Sequence, residues 1–156
     1  VPGYGWLLRM ANAIPVRKGE RRYEEVAAAF EERASRGISV LTFPEAHRTI
    51  DGKVGKFKRG VFTIAVRSGV PIAPICVRGA YRLLPKGALT IRPSRVHVYM
   101  PPQIETADLT EDDIPELMER VREVMRSWVD DGVKRPDLCL APFGVDRPAE
   151  PAPANA

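Results

Sequence analysis

A chain of 156 residues, 44% hydrophobic and 28% charged, can bury one core and has no room for a second, so a single domain is expected. Its net charge of +4 suits phosphates, CoA, anionic lipid or nucleic acid without choosing among them. Cys76 and Cys139 stand without paired spacing or clustered histidines, which argues against a disulfide scaffold or a zinc site, and no run approaches the roughly 18 apolar residues that a bilayer requires.

The chain opens on Val1-Pro2-Gly3-Tyr4-Gly5-Trp6, which reads as the middle of a longer sequence, so truncation is expected. Residues 13–16 form a short apolar stretch taken as a first strand. After Gly19, Tyr23, Val26, Ala27, Phe30 and Ala34 recur at helical spacing up to Gly37, which predicts a helix with a glycine stop. Residues 38–43 are apolar and β-branched without polar alternation, as in a strand covered on both faces, and end at Pro44.

Residues 51–60 form a glycine- and lysine-rich loop. Residues 61–67 follow as a helix closed by Gly69, and 71–77 as another buried strand. Residues 88–92 and 95–100 suggest an added pair of strands. The last helix is expected to cap at Asp113 with Glu116 three positions on, to bury Leu117, Met118, Val121, Val124, Met125, Trp128 and Val129, and to stop at Gly132.

From Val145 the sequence is proline, alanine and charge without periodicity, which predicts a disordered tail over 145–156 after a domain spanning 1–144. The alternation of elements predicts an α/β fold, a single-domain mixed sheet flanked by helices.

In open α/β sheets ligands collect beyond the carboxyl ends of strands. Arg17 follows the first strand in this reading, and Glu45, His47 and Arg48 follow the second. An arginine fork suits a phosphate monoester because it is always charged and donates two parallel hydrogen bonds. A third basic segment, Gly55-Lys56-Phe57-Lys58-Arg59-Gly60, precedes a helix, where free N–H groups and the helix dipole favour an anion.

Four blocks then become specific by their order. Phe43-Pro44-Glu45-Ala46-His47-Arg48-Thr49 resembles the Phe-Pro-Glu-Gly-Thr-Arg-Ser block of the 1-acylglycerol-3-phosphate acyltransferase (PlsC-like) family. Ala11-Asn12-Ala13-Ile14-Pro15-Val16-Arg17 stands where that family has Gly-x-x-Phe-Ile-Asp-Arg. Residues 55–60 resemble its Phe-Lys-Lys-Gly segment, and Val70-Pro71-Ile72-Ala73-Pro74-Ile75 its Val-Pro-Ile-x-Pro-Val block. Ala46 and His47 depart from the family's Gly and Thr, and an alanine there constrains the backbone if the position needs positive φ.

The resemblance implies acyl transfer from acyl-CoA or acyl-carrier protein to the sn-2 hydroxyl of a lysophosphatidate-like acceptor in phospholipid biosynthesis. Arg17, Glu45, Arg48 and Lys58 would bind the acceptor. It implies no metal and no cofactor beyond the acyl donor, and a peripheral place on the cytoplasmic face of a membrane. Tyr4, Trp6, Leu7, Leu8 and Arg9 offer an interfacial segment for such a surface.

The family's base is a His in an Asn-His-x4-Asp block. Neither His47 nor His97 has Asp at the matching position, so the catalytic pair is expected upstream of Val1 and this chain alone is expected to be inactive. His47 and Asp51 could imitate such a pair across a loop, and His97 reads as structural. The alternatives are a noncatalytic phospholipid- or CoA-binding remnant of the same fold and, ranked last for want of aromatic residues among the basic ones, a nucleic-acid-binding domain. Cys76 reads as a small core hydrophobe.

Overall fold

The computed structural model describes Trp6, Met10, Ala13, Ile14 and residues 23–143. The stretch 13–16 (beyond its first two residues), the interfacial segment around Tyr4 (beyond Trp6) and the tail 145–156 lie outside them.

Helix α1 (Tyr23–Ser35) ends as its sequence predicts. Gly37 adopts φ +71°, and the N–H groups of Gly37 and Ile38 return to the carbonyls of Ala34 and Arg33 at 2.9 Å each, satisfying carbonyls that the last turn leaves open. Helix α2 (Arg59–Ser68) ends in the same way at Gly69, φ +60°. Its apolar run is almost continuous, and Phe62, Thr63, Ile64, Ala65 and Val66 are all buried.

Strand β1 (Cys76–Arg78), the short helix α3 (Ala80–Leu83) and strand β2 (His97–Tyr99) follow, then a 3-10 turn over Glu111–Asp113, helix α4 (Ile114–Val129) and helix α5 (Pro136–Leu140). The core joins Phe62 and Val66 of α2 with Ile104, Ile114, Leu117, Val121, Val124 and Cys139. The buried positions of α4 keep helical spacing, while Met118, Met125, Trp128 and Val129 are half-buried. Helices α2 and α4 pack against each other in this core, and burial of apolar surface there stabilises by about 25 cal/mol per Å².

The start of α4 differs in part from the expected cap. Asp113 Oδ2 accepts hydrogen bonds from the Thr110 N–H at 2.8 Å and the Thr110 hydroxyl at 2.7 Å. The helix begins at Ile114 with Asp113 as its N-cap residue, as expected, but the Asp113 side chain makes no cap bond to it; the capping box instead runs from Thr110 to Asp113 across the 3-10 turn.

The sheet is smaller than expected. Among the described residues it is a two-stranded antiparallel ladder pairing Cys76 with Tyr99, Val77 with Val98 and Arg78 with His97, extended by an isolated bridge between Ile72 and Ile104. Cys76 is fully buried, as expected, while the opposite face exposes Val77 and Val98.

Residues 38–43 carry no ladder among the described residues. Their exposure alternates instead, with Leu41 and Phe43 on the open side, so this is not a strand covered on both faces. β-branched composition reports a pleated, partly buried backbone and says nothing of which neighbour supplies its hydrogen bonds. Residues 88–92 are likewise not a strand: a turn closes from Ala88 N–H to the Pro85 carbonyl, and Arg92 N–H returns to the Leu83 carbonyl, leaving Leu89 and Ile91 exposed. The described residues form an α/β arrangement in which α4 packs against β1 of a small antiparallel sheet.

Candidate functional site

Pro44 and Glu45 occupy the centre of a tight turn in which Ala46 N–H donates to the Phe43 carbonyl at 3.0 Å. The chain leaves it through Ala46 at φ +60°, the one non-glycine residue with positive φ among those described. A left-handed residue costs an alanine roughly 1–2 kcal/mol. That conformation turns the following residues back over the glycine- and lysine-rich loop and creates a cavity.

The cavity, about 280 Å³, is lined by Glu45, His47, Arg48, Thr49, Ile50, Asp51, Lys53, Val54, Gly55, Lys56 and Lys86. It holds three lysines and an arginine against two carboxylates, and both carboxylates are already engaged. Glu45 Oε2 accepts the Gly55 N–H at 2.8 Å. Asp51 Oδ1 accepts the Thr49 hydroxyl at 2.9 Å and the Lys53 N–H at 3.1 Å, and these bonds, the Lys53 N–H foremost, lower its pKa. The open surface of the cavity is therefore cationic, suited to a phosphate.

Two contacts fix the far wall. Arg48 Nη2 donates to the carbonyls of Leu84 at 3.3 Å and Pro85 at 3.2 Å. The Tyr81 hydroxyl donates to the Ile50 carbonyl at 2.7 Å, and its ring lies over Gly52, φ +86°, so closely that a Cβ there would sit 3.0 Å away.

Of the acceptor-binding residues expected from the sequence, Glu45 and Arg48 meet at this cavity. Arg17 lies outside the described residues. Lys58 does not line the cavity; its side chain is exposed, and its backbone N–H ties α2 to the turn through the Pro44 carbonyl at 2.8 Å. His47 lines the cavity, but the acceptor bonds of Asp51 Oδ1 go to Thr49 and Lys53, and among the described residues no hydrogen bond or ion pair joins His47 to Asp51. The imitation of a catalytic pair is not formed.

Lys53 and Lys86 were missed. Lys53 belongs to the basic loop and could have been included on charge alone. Lys86 follows the last residue of α3 by three positions, and only the fold brings it here.

A second cavity, about 540 Å³, lies between residues 102–109 and the segment from Cys139 to Phe143 and is lined by Gln103, Glu105, Asp108 and otherwise apolar neighbours, without lysine or arginine. Its charge is wrong for a phosphate. Among the described residues no group of His, Cys, Asp or Glu side chains is placed to hold a metal ion, and no helix is long and apolar enough to cross a membrane.

The family model for acyltransferases matches residues 1–78, half of the sequence and all but one residue of the cavity. The chain belongs to the acyltransferase family. It is 34% identical over 117 residues to a chloroplastic 1-acyl-sn-glycerol-3-phosphate acyltransferase of Brassica napus, covering 72% of this chain and 34% of the relative. With the 1-acyl-sn-glycerol-3-phosphate acyltransferase of Pseudomonas aeruginosa it shares 28% over 131 residues, 83% of this chain and 49% of the relative.

The crystal structure of the 1-acyl-sn-glycerophosphate acyltransferase PlsC from Thermotoga maritima superposes with a TM-score of 0.68 at 32% identity, covering 84% of this chain and 52% of that one. The chain thus spans between a third and about half the length of these relatives. The PlsC-like kinship read from the four sequence blocks holds, and the family match ends at Arg78, before the loop that carries Lys86.

Proposed function

We propose that this chain is the acceptor-binding part of an enzyme that transfers an acyl group from a thioester, acyl-CoA or acyl-carrier protein, to the sn-2 hydroxyl of a lysophosphatidate-like lipid. The observation that carries this is the cationic cavity built by the turn at Ala46 and the loop to Lys56, whose two carboxylates are occupied internally. A phosphate monoester seated there would anchor the acceptor and leave its glycerol hydroxyl at the mouth.

The chemistry also needs a base to take the hydroxyl proton as the oxygen attacks the thioester carbonyl and the thiolate leaves. No Asn-His-x4-Asp block occurs in the 156 residues, and in this reading the base belongs to such a block upstream of residue 1. In this reading the reaction uses no metal and no cofactor beyond the acyl donor. A lipid acceptor resides in a bilayer, so the enzyme works peripherally at the cytoplasmic face of a membrane.

A second reading, a noncatalytic phospholipid- or CoA-binding remnant, is favoured by the lack of a carboxylate partner for His47 among the described residues. Thiol release from acyl-CoA in the presence of lysophosphatidate separates the two. The assay compares this chain with a longer form carrying an Asn-His…Asp block. Activity in the longer form alone supports the enzyme; release by the short chain would assign the base to His47; silence in both, with lipid binding retained, supports the remnant.

A further inference from the structure

Lys86 has no counterpart in the sequence blocks that carry the family resemblance, yet it faces the same cavity as Arg48, Lys53 and Lys56. It sits in a turn closed by the Ala88 N–H on the Pro85 carbonyl at 3.1 Å and bent by Gly87 at φ +87°. The two carbonyls before it, Leu84 and Pro85, are both held by Arg48 Nη2. The Lys86 backbone is thereby fixed against the cavity wall, while its side chain is exposed and makes no ion pair among the described residues.

An ammonium on a fixed turn that shares a cavity with an arginine and two lysines, while the two carboxylates there are engaged by Gly55, Thr49 and Lys53, is held among like charges; a dianion between them removes the repulsion and is contacted from both sides. Arg48 then acts through this turn as well as through its own charge.

We propose that Lys86 is a further binding residue of the site, contacting a phosphate monoester from the wall opposite the 45–56 loop, with Arg48 as the positioning residue that holds its turn in place. The inference rests on the reading of this cavity as a phosphate site. The monoester could be carried by a lysophosphatidate-like acceptor or by the 3′-phosphate of CoA.

The test is binding to the 156-residue chain by isothermal titration. Short-chain lysophosphatidate is compared with the matching monoacylglycerol, and CoA with dephospho-CoA, for the unaltered chain, K86A, K86R and K134A. Lys134 lies over the Tyr99 and Trp128 rings, away from the cavity, and its removal controls for loss of one charge.

K86A is expected to weaken binding of one phosphorylated probe roughly tenfold, as for one charge-assisted hydrogen bond, with K86R recovering part of the loss and K134A unchanged. The pair that responds identifies the source of the phosphate. Undiminished binding by K86A, or an equal loss in K134A, overturns the role of Lys86 while leaving the cavity as a phosphate site. If the unaltered chain fails to prefer either phosphorylated probe, the cavity reading fails and this inference with it.

Discussion

Glu45 and Gly55 are locked together across ten residues of chain. The glycine N–H donates to Glu45 Oε2 at 2.8 Å, and a Cβ on residue 55 would stand 2.9 Å from that same oxygen. The turn at one end of the cavity and the basic loop at the other are thus held by a contact that a Cβ on residue 55 would crowd. Gly55→Ala would displace the carboxylate and weaken the bond, by at most the roughly 1.5–3 kcal/mol that a hydrogen bond to a charged acceptor contributes. Glu45→Ala removes the same bond from the other side. In urea unfolding the double variant is expected to cost clearly less than the sum of the singles. Simple additivity would mean that the contact is not what holds the loop.

Ala46 gives a prediction of opposite sign. At φ +60° it bears backbone strain that glycine would not, whereas glycine adds entropy to the unfolded chain. Strain of roughly 1–2 kcal/mol exceeds the entropy penalty of roughly 0.5–1 kcal/mol. Ala46→Gly should therefore stabilise by about 0.5–1 kcal/mol and raise Tm by a few degrees. A lowered Tm would show that the turn relaxes out of the left-handed region in solution.

That strain was foreshadowed by the sequence, because a block carrying glycine in related proteins carries alanine here. The helices were legible for a similarly local reason: Gly37 and Gly69 end their helices, and Leu117, Val121 and Val124 repeat at the spacing of one buried face. The sheet was not, because Ile38 to Phe43 are apolar in composition whether or not a neighbouring strand is present, and pairing is a property of two segments. The site was legible only where it is contiguous. Glu45 and Arg48 belong to one run of seven residues, but Lys86 reaches the cavity only through the fold of a later segment, and a lone lysine after a proline has no pattern to betray it. Lys58 stands outside the cavity lining; charge near a helix start does not say which way a side chain points.

Cys76 predicts a pH dependence at the alkaline end. Burial raises its thiol from 9.0 to about 11, and burial also raises Cys139. The folded state resists forming a thiolate that the unfolded chain forms freely. The protonated thiol's contribution is thus fully present below pH 9 and declines as pH rises from about 9 through about 11, an effect on the order of 2 kcal/mol. Cys76→Ala should flatten that decline at the cost of some packing. Unfolding free energies for both forms between pH 8 and 11 check it, and parallel curves would assign the alkaline loss to other groups. In the folded state Cys76 should also react with a thiol reagent only at the rate of unfolding.

Thr106 ties the loop after the sheet to the end of α2. Fully buried, its hydroxyl lies 2.9 Å from the Val70 carbonyl and 3.2 Å from the Ala65 carbonyl, and Ala65 also receives the Val70 N–H that closes the helix. One proton is shared between two acceptors, so the stronger bond goes to the nearer, Val70. Thr106→Val keeps the shape and removes the donor, leaving the Val70 carbonyl in an apolar setting at a cost of about 1–3 kcal/mol. Thr106→Ser keeps the donor and loses one methyl group, at about 1 kcal/mol. Chemical denaturation of the two variants discriminates the contributions: a larger loss in Val identifies the hydrogen bond as what fixes this loop, and a larger loss in Ser identifies methyl packing. Because Ile104, two residues earlier, bridges to Ile72, the Val variant should also speed amide exchange at the Ile72 N–H, whereas a purely local effect would leave that amide as protected as before.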